Sequence, residues 1–148
     1  MNRVLTAMTT IHTTPTVWVA MQTQGATQAL VERINTFAES HEVQDIEVEA
    51  SRILHDVGQH ASAWLVVDGA AEGVEALSDL AWKCTQANDC FRCLIIGSRK
   101  PESWPDGSIF LPPHALSTTV LDRLRLESHA LRIRSRRNRT LQQLRQRP

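Results

Sequence analysis

The sequence has few cysteines, no long apolar run and none of the short motifs that mark common enzyme classes. Its three cysteines are an odd number without a disulfide framework, which favours a reducing cytoplasm. No apolar stretch approaches the ~20 residues of a membrane span, and the N-terminus lacks the apolar segment of a secretory signal. There is no Gly-rich phosphate loop, no nucleophile elbow and no histidine pair at metal-ligand spacing. We therefore expect a cytoplasmic protein that is not an enzyme, with no membrane partner, no metal and no cofactor.

The formal net charge of zero hides a split along the chain. Residues 1–121 hold 7 Lys and Arg against 14 Asp and Glu, whereas residues 122–148 hold 9 Arg against 2 acids. Such an asymmetry is typical of a tail that has its own partner. We predict a flexible leader over residues 1–15, an α/β domain over 16–128 and a basic helical extension or linker over 129–148.

Two continuous apolar runs predict strands that are buried on both faces. One run, Trp64 to Val67, is closed by Asp68 and Gly69, and the other spans residues 90–97. Helical and strand-like spacing alternate around them, which predicts a parallel sheet covered by helices on both faces. Strands are expected at 16–21, 42–50, 61–69, 90–97 and 108–111, and helices at 27–39, 51–59, 74–87 and 117–147.

Cysteine and tryptophan positions give further expectations about the core. Cys90 and Cys93 form a CxxC, but on a strand these two side chains point to opposite faces, so buried free thiols are expected rather than a redox or zinc site. Three tryptophans are expected in the core: Trp18, Trp64 and Trp82. Trp104 lies in a Pro-rich loop, where its side chain either covers the sheet or is offered to a partner.

The order of elements and three landmark residues resemble the receiver domain of two-component response regulators, over residues 16 to about 128. Receivers have a flavodoxin-like, five-stranded parallel sheet. They take a phosphoryl group on an Asp that ends the third strand. Asp68 falls on that phosphoacceptor position, Ser98 on the Ser/Thr position after the fourth strand, and Pro113 on the Pro that normally follows a Lys. The resemblance implies a bacterial signal-transduction role with a protein partner or an output domain, which in a longer protein would lie beyond Pro148.

The sequence departs from the receiver pattern where receivers hold Mg²⁺ and the phosphoryl group. Gln22 and Thr23 stand where an acidic pair would follow the first strand, and Pro112 stands at the Lys position. Magnesium prefers several hard oxygen ligands, and phosphoryl transfer depends on metal and cation neutralising the transferred group. We therefore predict a degenerate pseudo-receiver with a vestigial pocket and little phosphorylation. A residual phosphoacceptor at Asp68 is an alternative.

The pattern from Ser117 onward predicts one helix of about 30 residues, or ~45 Å, which is longer than one side of a small domain. Leu124, Leu131 and Asn138 recur every seven residues, as in a two-stranded seam, so a homodimer is expected. The domain is predicted to act by dimerisation or partner docking through the last strand and this helix, using Ile109, Phe110, Val120, Leu121, Leu124 and Leu131. The alternatives for the tail are a solvated linker or nucleic-acid phosphate contacts through its arginines, which are Arg132, Arg134, Arg136, Arg137 and Arg139.

Overall fold

Among the described residues, five parallel strands form the centre of the molecule and four helices cover them. The computed structural model describes residues 13–69, 73–97, 104–113, 115 and 117–146. The strands are β1 (Thr16–Ala20), β2 (Glu39–Glu42), β3 (Ala63–Asp68), β4 (Phe91–Ile96) and β5 (Ile109–Leu111). The helices are α1 (Gln24–Ile34), α2 (Ile46–Val57), α3 (Val74–Ala87) and α4 (Ser117–Gln146).

The strand order is β2-β1-β3-β4-β5, which is the flavodoxin-like order. The predicted fold class is therefore confirmed. Strand β3 lies at the centre and pairs in parallel with β1 on one side and β4 on the other. Trp18, Leu65 and Cys93 form one row across these three strands. The apolar run that predicted a strand buried on both faces is thus the middle strand of the sheet.

Alternating side chains of the central strands build two separate cores. Trp64 and Val66 face one side of the sheet, where they pack with residues of α1 and α4. Leu65 and Val67 face the other side, where they pack with residues of α2 and α3. This follows from the two-residue period of a strand. Helices α1 and α4 therefore share one face of the sheet, and α2 and α3 share the opposite face.

The predicted strand over 42–50 is wrong. Helix α2 begins at Ile46, because the Asp45 carboxylate accepts hydrogen bonds from the amides of Glu47 (3.1 Å) and Val48 (3.4 Å). The Glu49 carboxylate completes the cap by accepting from the Asp45 amide at 2.9 Å. Ile46 and Ala50, four residues apart, face inward, whereas Val48 is 75% exposed. The alternating apolar residues that predicted a strand therefore lie on opposite sides of a helix.

Strand β2 instead consists of Glu39–Glu42. The sequence pattern assigns these residues to the end of the first helix and the start of the strand predicted over 42–50. That helix, α1, begins earlier than predicted, after the cap residue Thr23, and ends at Ile34. The β2 strand carries no aliphatic side chain and lies at the edge of the sheet. Its polar sequence explains why hydrophobic spacing did not identify it.

The tryptophans divide between core and surface. Trp18 and Trp64 are buried, as predicted, and Trp104 also packs into the core on the α2–α3 side. The prediction for Trp82 is wrong, because 44% of its surface is exposed. The inward stripe of α3 contains Leu77, Ala81 and Cys84, and Trp82 is out of phase with that stripe. All three cysteines are buried free thiols, as expected.

Helix α4 is continuous over 30 residues. Its first half packs on the sheet, and Leu131 is its last core residue, just beyond the predicted domain boundary at 128. Further along, Asn138, Arg139 and Gln142 border a recess with the loops that precede β3 and β4. The helix therefore passes the amino edge of the sheet. No helix among the described residues is both long and apolar enough to cross a membrane.

Candidate functional site

Asp68 is the last residue of β3 and lies at the carboxyl edge of the sheet, where flavodoxin-like folds place their ligands. It pairs in register with Ile96 on β4, and its side chain is half-buried. The following amide, that of Gly69, donates a 2.7 Å hydrogen bond to the carbonyl of Ile96. The structure thus places Asp68 at the position that the sequence predicted for it.

Two glycines close the edge beside Asp68. A Cβ on Gly69 would lie 3.3 Å from the carbonyl oxygen of Ile96 and 3.6 Å from the Cα of Gly97. Gly97 in turn donates its amide to the carbonyl of Leu111 at 3.0 Å. The ends of β3, β4 and β5 are therefore held together by backbone contacts. Ser98, the predicted switch residue, lies outside the described residues.

Of the two residues that replace the acidic pair, Thr23 has a structural task at the start of α1 and Gln22 lies exposed beside it. The Thr23 hydroxyl accepts a hydrogen bond from the Ala26 amide at 3.1 Å and thereby caps the helix. The Met21 amide is satisfied by the hydroxyl of Thr27, also at 3.1 Å. Gln22 is exposed and borders a recess of about 270 Å³ in which Glu42 is the one carboxylate. Neither residue supplies an anionic ligand next to Asp68.

The residues at this edge do not fit a magnesium ion. Mg²⁺ is held through carboxylates and demands a near-octahedral oxygen shell. Within the part of the chain that the structure describes, no three His, Cys, Asp or Glu side chains lie together in a way that could hold a metal. Pro112, at the position of the receiver Lys, follows β5 directly and carries no cation. Among the described residues, this edge thus presents the carboxylates of Asp68 and Glu42 but no group of three metal-binding side chains and no cation at the receiver Lys position.

The residues predicted to contact a partner occupy two kinds of position. Ile109 and Phe110 are half-buried on β5, the edge strand next to β4. The four helix residues lie in the chain's own core: Val120, Leu121, Leu124 and Leu131. These four side chains face the sheet and are not accessible to a partner in the folded chain.

The opposite face of α4 carries an apolar stripe that the sequence analysis missed. We call it the outer stripe, and it consists of Leu126, Ile133, Leu141 and Leu144, which are 67%, 49%, 46% and 54% exposed. Leu126 and Ile133 are seven residues apart, and Leu144 lies eleven residues after Ile133, so all three project from one side of the helix. Tracing the apolar residues by helical angle, rather than only the 124–131–138 repeat, would have found this second seam.

Eight arginines lie on α4, and two of them near its start have partners. Arg123 pairs with Glu127 within the helix at 3.3 Å, and Arg125 stacks over the ring of Phe37 at 5.0 Å from its centroid. Six arginines further along α4 have no ion pair with any described residue: Arg132, Arg134, Arg136, Arg137, Arg139 and Arg145. This end of the helix is therefore a strongly positive surface.

Solved structures share the fold at low sequence identity. A response regulator receiver protein from Sinorhizobium medicae WSM419 matches with a TM-score of 0.61 and 12% identity, covering 84% of this chain and 98% of its own. The response regulator StyR matches with a TM-score of 0.62 and 19% identity, covering 90% and 68%. A pilus assembly-related protein from Burkholderia pseudomallei K96243 matches with a TM-score of 0.57 and 12% identity, covering 78% and 90%.

The same fold also occurs in a protein of a different class. A 3-dehydroquinate dehydratase-like protein from Bifidobacterium longum matches with a TM-score of 0.55 and 16% identity, covering 80% of this chain and 98% of its own. No protein-family model and no curated protein matches the sequence. The comparisons therefore establish the receiver-like, flavodoxin-type fold of this chain, and activity has to be argued from its own residues.

Proposed function

We propose that this chain is a non-catalytic regulatory interaction domain of the pseudo-receiver type, which works in the bacterial cytoplasm without phosphorylation. The observation that carries the proposal is the composition of the carboxyl edge around Asp68. The position that would need an acidic pair holds Gln22 and the helix cap Thr23, and the Lys position holds Pro112. Where the acidic pair and the Lys are replaced, the chain lacks the groups that help to hold Mg²⁺ and to neutralise a transferred phosphoryl group in receivers.

The output of such a domain is a binding equilibrium, in which a protein partner or a second copy docks on an exposed face. Support for this comes from α4, because one side of the helix is fixed by Leu124 and Leu131 while the other side exposes the outer stripe. A rigid helix with a free apolar face is a common way to offer a docking surface to another helix. The half-buried edge strand β5 is a second place at which a partner can dock.

The test is an NMR titration of the ¹⁵N-labelled protein with Mg²⁺ and beryllofluoride, which mimics a phosphoryl group on an Asp. The expected result is no shift at the amides of Asp68 and Gly69, because the groups that would hold the mimic are missing. Asp68→Asn is the matched control. Shifts that appear in the unsubstituted protein and vanish in the Asn variant would overturn the proposal and assign a residual phosphoacceptor to Asp68.

A second candidate function is nucleic-acid binding through α4. The observation that favours it is the set of six arginines without an ion-pair partner among the described residues. Affinity that comes from phosphate contacts falls steeply as salt rises, whereas docking through the outer stripe depends less on salt. Fluorescence anisotropy with a labelled DNA duplex at several salt concentrations separates the two, with Arg134→Gln and Arg136→Gln as variants.

A further inference from the structure

Two exposed faces of this chain are opposite in charge and both contain apolar side chains. The first is the outer stripe of α4 with its arginines. The second is a groove between α2 and α3, which we call the helical groove. It has a volume of about 250 Å³ and an apolar floor formed by Ile46, Ala50, Leu54, Ala76 and Leu80. Each face has apolar surface that the rest of the described chain leaves uncovered.

Charged residues border the helical groove. Glu47 and Asp79 line it together with a single cation, Lys83. Over their whole length α2 and α3 carry five carboxylates against Arg52 and Lys83. The groove therefore suits an amphipathic helix whose flanks are positive.

Helix α4 has the complementary properties. It carries eight arginines against Asp122 and Glu127. Pairing two copies of α4 with each other would bring their arginines together, and like charges facing each other across an interface are unfavourable. Pairing α4 with the acidic helical groove brings opposite charges together and covers apolar surface on both sides.

A single chain cannot make this contact within itself. Helix α4 packs on the sheet face that carries Trp64 and Val66, whereas α2 and α3 pack on the face that carries Leu65 and Val67. The sheet separates the outer stripe from the helical groove, so an outer stripe that enters the groove has to come from another molecule. A second copy of this chain is the partner whose complementary surface is already defined.

We propose that the outer stripe of one copy docks into the helical groove of a second copy, in a head-to-tail contact. This rests on the proposed function as an interaction domain and names its partner. Because the two surfaces differ, each copy keeps one unused surface after pairing, and the contact extends into larger assemblies or closes into a ring. The interface would contain Ile133 against Ala76, with Arg134 and Arg137 near Glu47 and Asp79.

The experiment is sedimentation velocity of the full chain over a range of concentrations, with one variant for each surface. Ile133→Glu places a carboxylate in the outer stripe, and Ala76→Arg places a bulky cation in the helical groove. Both positions are exposed on helices, so the fold tolerates the changes. The unsubstituted chain should form dimers and larger species as concentration rises. Each variant alone should lose association by at least ~10-fold, as for a central interface residue.

Mixing the two variants gives the decisive result. The Ala76→Arg chain keeps an intact outer stripe and the Ile133→Glu chain keeps an intact groove, so the mixture should form a one-to-one dimer that grows no further. Gln28→Glu and Ala29→Arg, at exposed positions on α1, are the matched controls and should associate like the unsubstituted chain.

Three results would overturn the head-to-tail proposal: a chain that stays monomeric at every concentration, association that survives Ala76→Arg, or a variant mixture that stays monomeric. Survival of association with Ala76→Arg would indicate a symmetric contact through α4 instead. None of these results bears on Asp68, whose role the beryllofluoride titration decides separately. The two proposals can therefore fail independently.

Discussion

Burial governs the chemistry of the three cysteines. Desolvation raises the pKa of Cys84 to about 12. Burial is also the main cause that raises the pKa of Cys93, and the neighbouring Cys84 thiol adds to it, while a hydrogen bond with Ser108 opposes it. The pKa of Cys90 is raised by burial too, with Arg134 as the largest opposing influence. Because the thiolate is the reactive form, these are structural rather than redox cysteines.

Folding should therefore protect all three thiols from alkylation. At pH 8 iodoacetamide should label them far more slowly in the folded chain than in urea, as followed by mass spectrometry. The raised pKa values also give a pH dependence. The unfolded chain ionises a thiol near its ordinary pKa of 9.0, while Cys84 in the folded chain ionises near 12. The protonated, buried Cys84 thiol thus makes its full contribution to the free energy of unfolding below pH 9, and this contribution is lost as the pH rises toward 12. Equal rates of iodoacetamide labelling in the folded chain and in urea would contradict the burial of these thiols.

Single residues were predictable where strand or helix phase set their direction. The positions of Cys90 and Cys93 on a buried strand predicted free buried thiols, and the structure confirms them. The prediction for Trp82 is wrong because the phase of α3 directs this large apolar side chain outward. A large apolar residue that is out of phase with its helix is a candidate contact residue. Leu126 on α4 is a candidate contact residue for the same reason.

At the scale of elements, the predicted starts of α1 and α2 were wrong because capping residues decide where these helices begin. The fold class followed from the alternation of apolar runs, which is set by the whole chain. The extent of α2 depends instead on Asp45 and Glu49, whose carboxylates satisfy the first amides of the helix. Strand β2 has no apolar pattern and exists because its backbone pairs with β1. Such tertiary pairing is not visible in the local sequence.

Helix α4 offers a direct test of which of its faces is structural. Leu124 is fully buried and Leu126, two residues later, is 67% exposed. Leu124→Ala leaves a cavity and should lower the free energy of unfolding by about 2–5 kcal/mol, whereas Leu126→Ala should change it by less than about 0.5 kcal/mol. Urea denaturation of both variants measures the difference. Equal losses, or a larger loss for Leu126→Ala, would mean that the helix is oriented differently on the sheet.

At the scale of the whole molecule, the acidic and the basic segments of the chain occupy separate regions. The acidic half forms the α/β body, and the basic half forms a helix that runs along the body and beyond its amino edge. The sequence predicted the length and charge of this helix, whereas the vestigial character of the Asp68 edge stays a prediction. The helical groove could not be predicted from the sequence, because it depends on how α2 and α3 pack side by side on one face of the sheet.

The exposed end of α4 should be the least stable part of the described molecule. All side chains from Leu141 to Gln146 are exposed, and the preceding arginines repel each other without carboxylate partners among the described residues. Hydrogen exchange by mass spectrometry should therefore show strong protection around Leu124 and Leu131 that declines steadily toward Gln146. Added salt screens the arginines and should slow exchange in residues 132–146 while leaving the core unchanged. Protection that is uniform along the helix at a concentration where the chain is monomeric would show that the body, and not a second copy, holds this segment in place.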